Sequence, residues 1–90
     1  IHVDDIVSAN LFCMQHKKEF NGKFLNVATG NSVNLNYIKT HINSKITVEW
    51  NRYPERKGDI KHSQANIEEI LNLGWRPRVS IEEGLARCFK

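Results

Sequence analysis

The sequence contains few of the features that mark the common classes of small protein. Its 90 residues include only two cysteines, Cys13 and Cys88, which are too few for a disulfide framework and form no C-x-x-C pair. We therefore expect reduced thiols and a cytoplasmic location. No apolar run approaches about 18 residues, so we expect no segment that spans a membrane.

Common catalytic and cofactor motifs are also missing. The sequence has no G-x-G-x-x-G, no Walker A motif and no G-x-S-x-G. Its four histidines fall on different predicted elements without the spacing of metal ligands. We therefore expect no catalytic residue, no metal and no bound cofactor in this chain.

One pair of residues imitates a catalytic motif. Tyr53 and Lys57 have the Y-x-x-x-K spacing with which short-chain dehydrogenases activate a tyrosine. That use requires a helix, because residues four apart then share a face. Pro54 and Gly58 both oppose a helix here, so we do not assign catalysis to this pair.

Length and composition predict one small globular domain over residues 1–90. A hydrophobic content of 40% argues against disorder, although a chain of this length has a thin core. Thirteen basic and ten acidic residues give a net charge of +3. That excess is mild for a nucleic-acid-binding protein. The chain begins at Ile1 without a methionine or a signal-peptide pattern, and we expect further sequence upstream.

Hydrophobic periodicity predicts an α/β subdomain. Apolar positions at helical spacing, with caps at Asn34, Asn66 and Ser80, predict four helices. Two further segments have the composition or the alternation of strands. Because a helix separates the two strands, we expect a short, mostly parallel sheet of two or three strands with a right-handed crossover. The predicted helices cover residues 3–18, 35–43, 67–73 and 81–88, and the predicted strands cover residues 23–29 and 45–53.

The short stretch RKGD, residues 56–59, combines groups that suit a nucleotide ligand. An arginine presents a rigid fork of donors that fits phosphate oxygens. Gly58 permits close approach of a ligand, and the Asp59 carboxylate can accept hydrogen bonds from two neighbouring hydroxyls such as those of a ribose. The alternative is a solvated turn with a surface ion pair, which stabilises little. The four residues alone do not decide between these readings.

Four stretches occur in the order and at the spacing found in one enzyme family. These are IHVDDIVSAN, FLNVATGNSVNLNYI, RKGDIKHSQANIEEILNLGWRP and VSIEEGL. Together they cover most of the chain. The chain resembles the carboxyl-terminal, substrate-binding part of the NAD-dependent sugar-nucleotide epimerases and dehydratases, which are extended short-chain dehydrogenases. It is most similar to UDP-glucose and UDP-N-acetylglucosamine 4-epimerases.

The resemblance implies a substrate-binding role for three residues. Arg56 matches an arginine that binds the UDP diphosphate, and Asp59 matches an aspartate that binds the uridine ribose. Ser63 matches a position that lines the sugar pocket, where a small residue admits a 2-N-acetyl group. We therefore expect a parent enzyme that accepts UDP-N-acetylglucosamine as well as UDP-glucose. The chain departs from the family pattern at Asn66, usually aspartate, and at Glu69, commonly lysine.

The resemblance also implies what the chain lacks. Family members bind NAD in an amino-terminal Rossmann domain, which also carries the catalytic tyrosine and lysine. We therefore expect the 90-residue chain to contribute UDP-sugar binding to a longer enzyme and to be catalytically inactive by itself. The surface that would meet the Rossmann domain should expose apolar side chains, which predicts a homo-oligomer or a strand-exchanged dimer.

Two other functions are compatible with parts of the sequence. Within the family, the chain could come from a sugar-nucleotide 4,6-dehydratase or a decarboxylase, although GDIKHS favours an epimerase. Outside it, the basic residues could serve a small nucleic-acid-binding module. Acidic residues such as Glu19, Glu55 and Asp59 interrupt the basic residues and argue against that partner. A steep dependence of single-strand affinity on salt would support it.

Overall fold

Five helices form the regular structure of the computed structural model, which describes residues 1–89 apart from the side chain of Phe20. The bounds of α1 to α5 are Val3–Gln15, Lys17–Phe20, Leu35–Asn43, Glu68–Leu73 and Ile81–Arg87. Three of the four predicted helices agree with α3, α4 and α5 to within a residue or two. The predicted helix over residues 3–18 is interrupted at His16, whose φ of −121° and ψ of 38° are not helical.

Local capping chemistry explains where the later helices begin and end. The Asn34 side chain accepts a hydrogen bond from the Asn36 amide, and the Ser80 hydroxyl accepts one from the Glu83 amide, as the sequence predicted. The predicted cap at Asn66 is wrong by one residue, because the N-cap of α4 is Ile67, which makes no side-chain cap bond. The Asn66 side chain still accepts a hydrogen bond from the Glu68 amide at 2.9 Å. Helix α4 ends at Gly74, whose φ of +112° favours glycine.

The predicted parallel sheet is wrong. Residues 1–89 contain no strand, and no backbone hydrogen bond joins residues 23–29 to residues 45–53. Leu25, Val27 and Ala28 instead pack as irregular chain against the core. The physical reason is that a strand needs a partner for its amides and carbonyls, whereas alternation of side chains predicts only which faces are buried. The α/β assignment is therefore replaced by a helical fold within the described chain.

A small core joins the first helix to the fourth. Among residues 1–89 the buried hydrophobic side chains are Ala9 of α1, Ile70 of α4, and Ile67 and Trp75 at the two ends of α4. The radius of gyration is 16.3 Å, against about 12 Å for a compact domain of this length. This extended shape, 49 × 35 × 15 Å, leaves many large apolar side chains in contact with solvent.

Helix α1 has two apolar faces, of which only one is covered. The covered face carries Ala9 and the partly buried Phe12. The opposite face carries four exposed residues at helical spacing, which we call the α1 stripe. They are between 51% and 67% exposed, so no neighbouring element in residues 1–89 covers them. The members of the α1 stripe are Val3, Val7, Leu11 and Met14.

A buried carboxylate fixes the chain that follows α4 onto α1. Asp5 is 2% exposed and accepts hydrogen bonds from the Arg78 and Val79 amides, both at 3.0 Å. One turn further along α1, the Ser8 hydroxyl accepts a hydrogen bond from Trp75 Nε1 at 2.9 Å. Two polar side chains of α1 therefore hold residues 75–79 across more than 60 positions of sequence.

Among residues 1–89, none of the five helices has the length and apolar character of a membrane-spanning segment.

Candidate functional site

The RKGD stretch forms a tight turn. The Asp59 amide donates to the Arg56 carbonyl at 3.1 Å, which closes a four-residue turn. Gly58 has φ of +86°, the value that the third position of a type II turn requires and that glycine adopts without strain. A β-carbon built on Gly58 would meet no atom within 4 Å. The turn therefore exposes its glycine to open space, where a ligand could approach the backbone.

The turn brings the two predicted ligand-binding side chains together. Asp59 Oδ2 accepts from the Arg56 amide at 2.7 Å, and Asp59 Oδ1 lies 3.2 Å from Arg56 Nη2. The Arg56 side chain is 88% exposed and the Asp59 side chain 32% exposed. Most donors of the guanidinium therefore remain in solvent. The same geometry also satisfies the alternative stated above, a surface ion pair that stabilises little by itself.

Ser63 follows four residues after Asp59 and is exposed. Within residues 1–89 its hydroxyl makes no hydrogen bond. The three residues with a predicted binding role therefore lie in one exposed segment, and the structure joins Arg56 to Asp59 but not to Ser63. This segment is electropositive. Residues 52–61 contain four basic and two acidic side chains, so they carry a net +2 of the chain's +3.

A groove lies next to this segment in sequence. It has a volume of about 500 Å³ and runs between residues 29–31 and residues 64–71. Gln64 Nε2 donates to the Gly30 carbonyl at 2.6 Å across it, and Asn26 Nδ2 donates to the Asn66 carbonyl at 3.2 Å. A second groove, of about 460 Å³, is lined by Lys23, Phe24, Glu69, Asn72 and Leu73. Neither groove is lined by Arg56, Asp59 or Ser63.

Gly30 is required at its position for two reasons. Its φ of +79° favours glycine, and a β-carbon there would lie 3.0 Å from Ile67 Cδ1. The loop at residues 29–31 is therefore in direct contact with the segment that leads into α4. Neither this contact nor the Gln64 hydrogen bond was predictable from the sequence, because a side chain that donates to a distant backbone carbonyl leaves no periodic pattern.

Titratable groups with shifted pKa values lie away from the turn. Tyr37 of α3 donates a hydrogen bond to Glu82 of α5. This bond raises the pKa of Tyr37 and is the main reason that the pKa of Glu82 is lowered. Hydrogen bonding to Glu83 is the main cause that raises the pKa of Arg87. Among residues 1–89, no three histidine, cysteine, aspartate or glutamate side chains gather in a way that could hold a metal ion.

Comparison with known proteins identifies relatives along the whole chain. The chain is 35% identical to CDP-abequose synthase of Salmonella muenchen over 99% of its length, and 30% identical to UDP-glucose 4-epimerase of Mycolicibacterium smegmatis over 100% of its length. It is 25% identical to the rice (Oryza sativa subsp. japonica) protein "Probable GDP-L-fucose synthase 1", also over 100%. No family model matches, and no solved structure matches.

The matches cover only part of each relative. The chain spans 32% of the Salmonella protein, 29% of the Mycolicibacterium protein and 27% of the rice protein. All three names describe enzymes of nucleotide-linked sugars, which agrees with the resemblance stated from the four sequence stretches. Over its whole length, the chain is therefore similar to parts of several enzymes of nucleotide-linked sugars.

Proposed function

We propose that this chain supplies the nucleotide-sugar-binding part of a UDP-sugar 4-epimerase. In this proposal Arg56 binds the diphosphate, Asp59 binds the ribose hydroxyls and Ser63 borders the sugar. NAD and the groups that move hydride and protons belong to the Rossmann domain of the longer enzyme. We expect the 90-residue chain alone to bind the nucleotide sugar and to catalyse nothing. The two free cysteines are compatible with a cytoplasmic location, which remains a proposal.

The observation that carries this proposal is the geometry of the turn at residues 56–59. The guanidinium of Arg56 uses one nitrogen on Asp59 and keeps its remaining donors in solvent, where a diphosphate could accept them. Each Asp59 oxygen has one protein partner and therefore retains a lone pair for a hydroxyl donor. The absence of any atom within 4 Å of a Gly58 β-carbon leaves room for a ligand beside both groups.

The turn is compatible with more than one reaction type. The relatives named above include an epimerase and two synthases, and their names contain CDP, UDP and GDP. A 4,6-dehydratase or a decarboxylase therefore remains the second candidate within the family. The GDIKHS stretch, with the small Ser63, favours the epimerase. Binding of the diphosphate and the ribose by the turn is compatible with any of these reactions, because such a site contacts neither the base nor the reacting carbon.

Isothermal titration of the 90-residue chain with UDP tests the proposal. Arg56→Ala should weaken binding about tenfold, because a charge-assisted hydrogen bond contributes at least ~1.5 kcal/mol. Lys57→Ala is the matched control, since it removes the same charge from the same turn. We expect it to weaken binding by no more than about threefold, as for a solvated point charge.

The role of Asp59 is tested with a substitution that removes its charge and with a nucleotide that lacks one of the two ribose hydroxyls. Asp59→Asn should weaken binding of UDP but have little further effect on binding of 2′-deoxy-UDP, which lacks one of the two hydroxyls. Equal losses for Arg56→Ala and Lys57→Ala would contradict the proposal, because the contribution would then be non-specific charge. Failure of UDP to bind, together with salt-sensitive binding of single-stranded nucleic acid, would favour the nucleic-acid-binding alternative.

Ser63 is tested by adding bulk. Ser63→Tyr should weaken binding of UDP-N-acetylglucosamine while leaving UDP-glucose binding within about twofold, because only the acetylated sugar carries the extra group at its second carbon. The same substitution in the longer enzyme should reduce turnover of the acetylated sugar selectively. Equal loss for both sugars would reject a role for Ser63 in sugar selection.

A further inference from the structure

Within residues 1–89, the segment that carries Arg56, Asp59 and Ser63 makes no hydrogen bond or ion pair to the rest of the protein. We call residues 51–63 the clasp loop. Every residue of the clasp loop is exposed. Its hydrogen bonds and its ion pair, within residues 1–89, all join Arg56 to Asp59. The position of the clasp loop must therefore be determined at its two ends.

A side chain of α3 holds the first end. Trp50, which immediately precedes the clasp loop, donates a hydrogen bond from Nε1 to Asn43 Oδ1 at 2.9 Å. Lys39 Nζ lies 5.6 Å from the centre of the Trp50 ring, within the range of a cation–π contact. Both partners belong to one helix, so the indole is held against a rigid element.

A backbone carbonyl holds the other end. Gln64, which immediately follows the clasp loop, donates from Nε2 to the Gly30 carbonyl at 2.6 Å. Gly30 is in turn packed against Ile67, which is buried. The hydrogen bond joins residues 34 positions apart and connects the end of the clasp loop to the core.

We propose that Gln64 and Asn43 are positioning residues for nucleotide binding. Neither would contact the ligand. Each acts by fixing one end of the clasp loop, so that fewer loop conformations are lost when a ligand orders Arg56 and Asp59. The inference rests on the proposed function of the clasp loop as the nucleotide-binding segment.

The test measures loop motion without ligand and UDP affinity separately. Gln64→Met removes the donor at nearly constant shape, and Ala65→Met is the control on the adjacent exposed residue. Gln64→Met should lower the backbone ¹⁵N order parameters of residues 56–63 and weaken UDP binding about fivefold. Ala65→Met should change neither.

The Trp50 end of the clasp loop is tested with a pair of substitutions at Asn43. Asn43→Leu removes the acceptor for Trp50, whereas Asn43→Asp keeps it. We expect Asn43→Leu to lower the order parameters and to weaken UDP binding about fivefold, and Asn43→Asp to restore both. A role confined to overall stability would lower the unfolding midpoint and leave the order parameters of the folded chain unchanged, so the order parameters separate the two roles.

Two outcomes would overturn the inference alone, and a third would overturn it together with the proposed function. Unchanged order parameters in Gln64→Met would show that Gln64 does not fix the end of the clasp loop, even if UDP binds normally. Lower order parameters with unchanged UDP affinity would show that Gln64 fixes the end of the clasp loop but has no positioning role in nucleotide binding. If the wild-type chain does not bind UDP at all, the proposed function fails, and the positioning role fails with it.

Discussion

The buried carboxylate of Asp5 allows the sharpest test of how the fold is held together. Asp5 accepts two amide hydrogen bonds from residues 78 and 79 and is 2% exposed, whereas the adjacent Asp4 has a side chain that is 63% exposed and forms a surface ion pair with Arg87. The two residues have the same chemistry and neighbouring positions on α1. They differ in burial and in the partners they satisfy.

The expected magnitude follows from those partners. A hydrogen bond to a charged group contributes about 1.5–3 kcal/mol. Because Asp5→Ala removes two such bonds and leaves two amides without an acceptor, it should destabilise the chain by about 3–6 kcal/mol. A domain of this size is stable by only about 5–13 kcal/mol, and the thin core favours the lower end. Asp4→Ala removes a surface ion pair and should lower stability by less than about 1 kcal/mol.

Urea unfolding followed by Trp75 fluorescence measures the difference. Trp75 is 4% exposed, and its Nε1 donates to Ser8 one turn from Asp5, so its emission should report loss of this junction. With a slope of about 1.5 kcal/mol per molar urea, Asp5→Ala should lower the midpoint by about 2 M or more. Asp5→Asn, which retains one acceptor, should give a smaller loss and remains measurable if the alanine variant does not fold. Stabilities of Asp5→Ala and Asp4→Ala within about 1 kcal/mol of each other would refute the reasoning.

Two further predictions concern the surfaces beyond this junction. The pKa of Glu82 is lowered by the hydrogen bond from its tyrosine partner, so the contact should add stability at higher pH that is lost as pH falls below about 4.5. Glu82→Gln should therefore flatten the decrease in unfolding free energy between about pH 5 and pH 3, and an unchanged slope would argue against this linkage. The exposed α1 stripe should cause the 90-residue chain to self-associate at high concentration. Leu11→Asp should shift the light-scattering mass toward the monomer, whereas Asn36→Asp, at an exposed position of α3, should not. A wild-type chain that remains monomeric would contradict the prediction.

Features that depend on neighbouring residues were predictable from the sequence. The caps at Asn34 and Ser80 are confirmed, because capping uses atoms two or three residues apart. The approach of Arg56 to Asp59 follows similarly from a turn with glycine at its third position. These interactions are encoded within four residues, so a single sequence contains the information needed to find them.

Features that depend on distant residues were not predictable. The apolar composition of residues 23–29 suggested a strand, but nothing in the sequence says whether a partner strand lies beside it. The burial of Asp5 was not predictable for a related reason. A carboxylate in the first turn of a helix is usually exposed, and the two amides that donate to Asp5 lie 73 and 74 residues away in the sequence. The Gln64 contact with Gly30 belongs to the same class.

In the proposed site, the atoms that the turn can contact determine which parts of the ligand it binds and which parts other residues must select. Diphosphate and ribose are common to CDP-, UDP- and GDP-linked sugars, the compounds that appear in the names of the relatives. A clasp made from Arg56, Asp59 and the backbone at Gly58 would therefore bind these ligands without distinguishing their bases. Selection among bases must then come from groups outside the turn, and selection among sugars from residues such as Ser63. On this view the turn can be similar in enzymes with different substrates, because its contribution is affinity for what the substrates share.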